Sequence, residues 1–208
     1  MSAEVREDRE ALTTSGAAVS DARDTRDRRA SSLASRALAD ARLLLIALWL
    51  GGAVFFSFVV APTAFAVLPT HELAGAVVTR TIAVVNVGGF VVALLLIASD
   101  LFVGDGVERR RRARLAELVS LAVVAAACAA GQWIVAARMV ALRAAMGRPI
   151  DRVPTDDPSR VAFNSLHGYS VALMGAAMLA GLVALLLIGR RNRLVTTAPV
   201  TKAESRER

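Results

Sequence analysis

The sequence predicts an all-α integral membrane fold: a mostly antiparallel bundle of four transmembrane helices behind a disordered N-terminal tail. Three observations predict it. Four apolar runs, residues 43–68, 81–103, 118–140 and 169–188, each hold about 20 residues or more, enough at roughly 1.5 Å per residue to cross a hydrocarbon layer of roughly 30 Å. Mean hydropathy is +0.52 although 21% of the residues are charged, so apolar and charged residues are segregated along the chain. The charges that remain are mostly arginines, and they bracket the apolar runs.

The first 41 residues mix Arg with Asp and Glu, as in "DARDTRDRRA", and carry no sustained apolar face. Such a segment buries too little surface to offset its ordering entropy, so residues 1–41 are expected to form a disordered cytosolic tail. Its near balance of charge also argues against a nucleic-acid-binding arm. Residues 42–189 then form the four-helix domain, and residues 190–208 a basic cytosolic C-terminal tail. The lone Cys128 falls inside an apolar run, which excludes an intramolecular disulfide and a cysteine-based zinc site.

Arginine placement orients the bundle. Arg23, Arg26, Arg28, Arg29, Arg36 and Arg42 precede the first run; Arg109–Arg112 and Arg114 separate the second and third; Arg190, Arg191, Arg193, Lys202, Arg206 and Arg208 follow the fourth. The opposite side has only Arg80, Arg143, Arg148, Arg152 and Arg160. The excess predicts cytosolic termini and a multi-pass location in a bacterial-type inner (cytoplasmic) membrane.

The connections carry their own signals. Pro69 and Thr70 predict a tight turn, with Thr70 capping a helix that begins at His71 and Glu72 near its positive end. Gly147 and Pro149 predict the end of the third helix. Asp157 followed by Pro158 predicts the start of the fourth, which places "FNSLHGYS", residues 163–170, in its second to fourth turns at the outer membrane edge.

Several stretches together resemble a known family. "WLGGAVFFSFVVAPTAFAVLP" (residues 49–69), the following "ELAGAVV", the "ALRAAMG" closing the third helix and "RVAFNSLHGYS" (residues 160–170) are similar to the domain of unknown function 4149 family, which includes transmembrane protein 205-like proteins. The resemblance covers about residues 43–188 and implies a four-helix membrane domain, without implying a reaction. The chain departs from the family pattern where a proline is expected near the outer end of the third helix; here "VAARMV" stands instead. The "WLGG" alone is also similar to copper-resistance membrane proteins of the D type, over one helix only.

Polar residues in the outer half of the bundle are the candidate site. Asn86, Gln132, Asn164, His167 and Ser170 share that depth, and Asn164, His167, Val171 and Met174 are expected on one inward face of the fourth helix. Read simply, they are interhelical hydrogen-bonding groups, because polar atoms in lipid need partners. The sharper reading is a ligand-binding site with Asn164 and His167 facing helices two and three. His167, with Met174, is also a candidate soft-metal ligand, although no His-x-x-His or Met-x-x-Met motif accompanies it. No Ser-His-Asp set, paired carboxylates or phosphate loop points to catalysis, so no enzyme activity and no cofactor are expected.

The expected function is therefore a non-enzymatic membrane protein with a small-ligand-binding or transport-related role at an outward-facing polar pocket. A structural or assembly subunit of a membrane complex is the alternative, and copper-type metal handling a third. The expected partners are the lipid bilayer and homo-oligomer or membrane-complex subunits, not nucleic acid. The topology is testable with an impermeant thiol reagent on intact cells. Cysteines at Ser32 and Thr197 are expected to stay protected while one at Asp156 reacts, and the reverse pattern overturns the orientation.

Overall fold

A computed structural model of the chain describes residues 4–102 and 108–196. Residues 103–107 and 197–208, the latter with the expected tail charges Lys202, Arg206 and Arg208, lie outside the described residues. The chain divides at Ala41 and Arg42 into two units.

In the N-terminal unit the backbone is helical from Glu4 onward. Helix propensity favours this conformation. Ala30, Ala34, Ala37, Ala39 and Ala41 are strong helix formers, and Arg36 and Asp40 stand four residues apart. The tail's lack of an apolar face is retained, since nearly all of the side chains described between Thr25 and Ala41 are exposed.

Four helices are long and apolar enough to cross a membrane: Thr25–Val67, His71–Asp100, Arg111–Met146 and Pro158–Asn192. Among the described residues there is no strand. The third span packs against both the second and the fourth. The turns form as the sequence predicts. Leu68 is extended before Pro69, and the Leu73 amide donates to Thr70 Oγ1 at 3.2 Å to cap the second span. Gly147 ends the third span in the left-handed conformation with φ 60°, and the Ser159 amide donates to Asp157 Oδ1 at 2.8 Å where the fourth begins.

The buried stripes repeat at spacings of three and four. Ile46, Trp49, Ala53 and Phe56 line the first span; Asn86, Gly89, Ala93 and Leu96 the second. Leu121, Val124, Cys128 and Gly131 line the third; Met174, Ala177, Gly181, Ala184 and Ile188 the fourth. This is the seven-residue pattern by which antiparallel helices interlock. Trp49 is the largest member, and small residues make room for it. A Cβ on Gly89 would lie 2.5 Å from Trp49 Nε1 and 2.8 Å from Cys128 Sγ; one on Gly181 would lie 2.7 Å from Trp49 Cζ3. The indole N–H donates to the Val85 carbonyl at 3.0 Å, so its one polar atom is satisfied.

Two π-helical turns interrupt the spans, Phe56–Val60 in the first and Ala130–Val135 in the third. Each closes with an amide donating five residues back, Ala61 to Phe56 and Ala136 to Gly131. Pro62 explains the first: it donates no hydrogen bond and its ring crowds the carbonyl four residues earlier, and a widened turn relieves both. In the third span the widening occurs without a proline.

The Trp49 notch makes a direct prediction. Gly181→Ala is expected to cost about 1 to 3 kcal/mol of stability by overpacking. A double-mutant cycle with Trp49→Phe should return part of that loss, whereas strictly additive losses would show that the two positions do not meet.

Candidate functional site

The stripes of all four spans continue, at one end of the bundle, into charged residues. Arg42 precedes Ile46 by one turn, Asp100 follows Leu96, Glu117 precedes Leu121 and Arg191 follows Ile188, with Arg114 one turn before Glu117. Four spans thus deliver five ionisable side chains to one level. Arg42 Nη2 donates to Glu117 Oε1, and Arg42 Nη1 lies 3.5 Å from Asp100 Oδ1. Arg114 grips Asp100 twice, from Nε to Oδ2 at 2.6 Å and from Nη2 to its carbonyl at 2.7 Å. Arg191 Nη1 bridges the two acids, 2.9 Å from Asp100 Oδ1 and 3.3 Å from Glu117 Oε2.

Burial distinguishes this network from surface pairs. The side chains of Arg42, Asp100 and Glu117 are 4%, 1% and 2% exposed, while those of Arg114 and Arg191 are 24% and 28% exposed. Exposed ion pairs contribute little, but a charge this deep is strongly destabilising once its partner is removed. In the sequence Arg42, Arg114 and Arg191 stand out as orientation markers only. Their phase was the missed signal, because each continues the buried stripe of its own helix.

About four helical turns away, roughly 20 Å at about 1.5 Å per residue, lies a second polar layer. Asn86 is buried, and its Nδ2 would lie 3.2 Å from a Cβ placed on Gly131, the residue before Gln132 in the π turn. Gln132 is half-buried, and its Oε1 is enclosed without a hydrogen-bond partner. Ser57 lies on the first span at this level, its hydroxyl 4.0 Å from Met178 Sδ. Close by, Phe90 meets Trp133 edge-on at 5.0 Å between ring centroids.

The fourth span departs from the expected placement. Asn164 and His167 are exposed and do not face helices two and three; Phe163 is buried and Ser170 half-buried. The inward stripe runs through Phe163, Leu166, Ser170 and Met174, one position from the expected face of Asn164, His167 and Val171. One residue is about 100° on a helix, enough to turn a side chain from the interior to the outside. Arg143 stacks on the inward Phe163, its Cζ 5.0 Å from the ring centroid. The same guanidinium fills the space beside Gly75, where a Cβ would lie 3.1 Å from Nη2. Met174 is buried in the core while His167 is not, and the described residues contain no group of three or more His, Cys, Asp or Glu able to hold a metal ion.

Set against known proteins, residues 44–148, half of the chain, match a family model described as Domain of unknown function (DUF4149). The match includes Trp49, Asn86, Asp100, Glu117 and Gln132, and it stops before the fourth span. No curated protein and no solved structure matches the chain.

The network makes the next prediction. Arg42→Gln should cost about 3 to 5 kcal/mol, since it strips a buried partner from Glu117 and Asp100. Arg42→Met combined with Glu117→Met should recover most of that loss. Denaturant unfolding of the purified protein measures both, and equal stability of Arg42→Gln and wild type would mean that the pair carries no structural weight.

Proposed function

The chain belongs to the DUF4149 family of membrane-like helical domains, and on that premise we propose a non-enzymatic membrane protein that binds a small polar ligand in the outer half of its bundle. The observation that carries this reading is the enclosed, unpartnered Oε1 of Gln132, whose chain neighbour Gly131 packs on the buried Asn86. An amide oxygen withdrawn from water without a donor is destabilising, and a ligand's O–H or N–H relieves it. The polar side chains at this level are amides rather than charges, which favours an uncharged ligand with both donor and acceptor groups. Widened π turns beside it in the first and third spans support the same reading, since such turns recur at functional sites.

Arginine distribution supports a cytosolic assignment for the charged end, hence an inner-membrane protein with both termini cytosolic. The polar layer then lies toward the outside, with the buried ion network and Trp49 as a seal between it and the cytosolic end. A transport role requires that seal to break. The assembly-subunit reading is favoured by a separate observation: Asn164 and His167 project outward from the fourth span, where a neighbouring membrane protein or a second copy of the chain can reach them.

Thiol accessibility tests the ligand site. In a Cys128→Ala background, Gln132→Cys is expected to react in intact cells with an impermeant reagent, while Val124→Cys, two turns toward the charged end, stays protected. Protection of both positions, with Asp156→Cys reacting normally, would leave Gln132 a packing residue and remove the ligand-binding reading.

A further inference from the structure

We propose that the outer end of the bundle is a gate on the Gln132 site, with Arg143 as its bolt and residues 147–157 as its lid; this rests on the ligand-site reading of Gln132. About four helical turns, roughly 20 Å, lie between Gln132 and the end of the third span at Met146, so a ligand arriving from outside must pass whatever closes that end. The inward stripe of the fourth span covers the same stretch. It runs from Met174 through Ser170 and Leu166 to Phe163, and ends at the half-buried Arg160.

The bolt is one side chain that touches three spans. Arg143 leaves the third span, places its Cζ 5.0 Å from the centroid of Phe163 on the fourth, and brings Nη2 within 3.1 Å of where a Cβ on Gly75 of the second would stand. Among the described residues it makes no ion pair and no hydrogen bond. Arg143 is also exposed, so its guanidinium can turn into water for the loss of one ring contact, with no counter-charge left behind. The opposite end of the bundle differs in this respect. Arg42 cannot leave without stranding the buried carboxylates of Asp100 and Glu117, so the outer end is the one that yields first.

The lid joins the third span to the fourth. Val153 is 2% exposed and is the one buried residue among the described side chains of 147–157. Arg160 Nη1 donates to the Val153 carbonyl, and because Arg160 continues the inward stripe, Val153 is drawn over the outer end of the interior. The other hydrogen bonds of the lid are local: Arg152 to the Pro149 carbonyl at 2.9 Å, Val153 to Ile150 at 3.1 Å and Asp157 to Pro154 at 3.2 Å. Such a segment holds its own shape. Pro149 and Pro154 stiffen it, while Gly147, left-handed at φ 60°, supplies a pivot at its start. A segment attached to the bundle by one apolar side chain and one inward hydrogen bond opens locally before the spans do.

The rate of thiol labelling tests the gate, with the full chain in intact cells, an impermeant reagent, and Gln132→Cys in the Cys128→Ala background as parent. Arg143→Ala and Val153→Ser are each expected to raise that rate about tenfold, the size of losing one cation–ring contact or one buried valine. Val124→Cys stays protected alongside either change. Gly181→Ala, which loosens the bundle at Trp49 instead, is expected to leave the rate as it is. If Arg143→Ala does not reach the membrane, Arg143→Gln carries the same expectation. A reactive Gln132→Cys whose rate is the same in the gate variants overturns the gate and leaves the ligand site standing. So does an equal rise with Gly181→Ala, or labelling of Val124→Cys in the gate variants, since either would be a general loosening. Protection of Gln132→Cys in the parent and in both gate variants removes the ligand site and the gate together.

Discussion

A charge taken into an apolar bundle must find its counter-charge there, and this constraint sets how the four spans stand against one another. Arg42, Asp100, Glu117 and Arg191 come from four different helices, and each is buried or half-buried at one level. Sliding one helix by a turn would move its charge about 5 Å from the others and leave it unpaired among hydrocarbon. Apolar stripes alone tolerate such slips, because one leucine resembles the next. The ion network supplies the axial register that the stripes lack.

Trp49 repeats the constraint nearer the middle of the bundle by shape. Its indole fits only where Gly89 and Gly181 face it, and its N–H reaches a carbonyl of the second span. Charge pairing and shape therefore agree on one register. The other end of the bundle is held differently, by the short turn between Val67 and His71 and by Arg143 lying between Gly75 and Phe163. Between the two ends lie the π turns and the incompletely satisfied Gln132. Low polarity with every group paired makes for rigidity, so the layer with an orphan acceptor is where a ligand or a change of packing has most to gain.

The stretch "FNSLHGYS" shows how far a sequence pattern can be pushed. Its position at the start of the fourth span was legible from Asp157 and Pro158, which supply a cap and a first turn whatever surrounds them. Its rotation was not. Asn164, His167 and Val171 make as regular a helical face as Phe163, Leu166 and Ser170, and the choice between them rests on packing against the other spans, which buries Phe163 and Met174 and leaves Asn164 and His167 exposed.

By itself the sequence determined what depends on local chemistry: four apolar helices, their caps at Thr70 and Asp157, the break at Gly147, the side on which arginine accumulates, and the family to which residues 44–148 belong. The physical reason is that helix length, hydropathy and capping are properties of neighbours along the chain. Tertiary structure alone decided which polar groups meet. It joined Arg42 to Glu117 and Asp100 across 75 and 58 residues, set Asn86 against Gly131, and turned His167 outward. Those outcomes depend on the rotation of each helix about its own axis, which the packing of all four spans resolves together and no single span encodes.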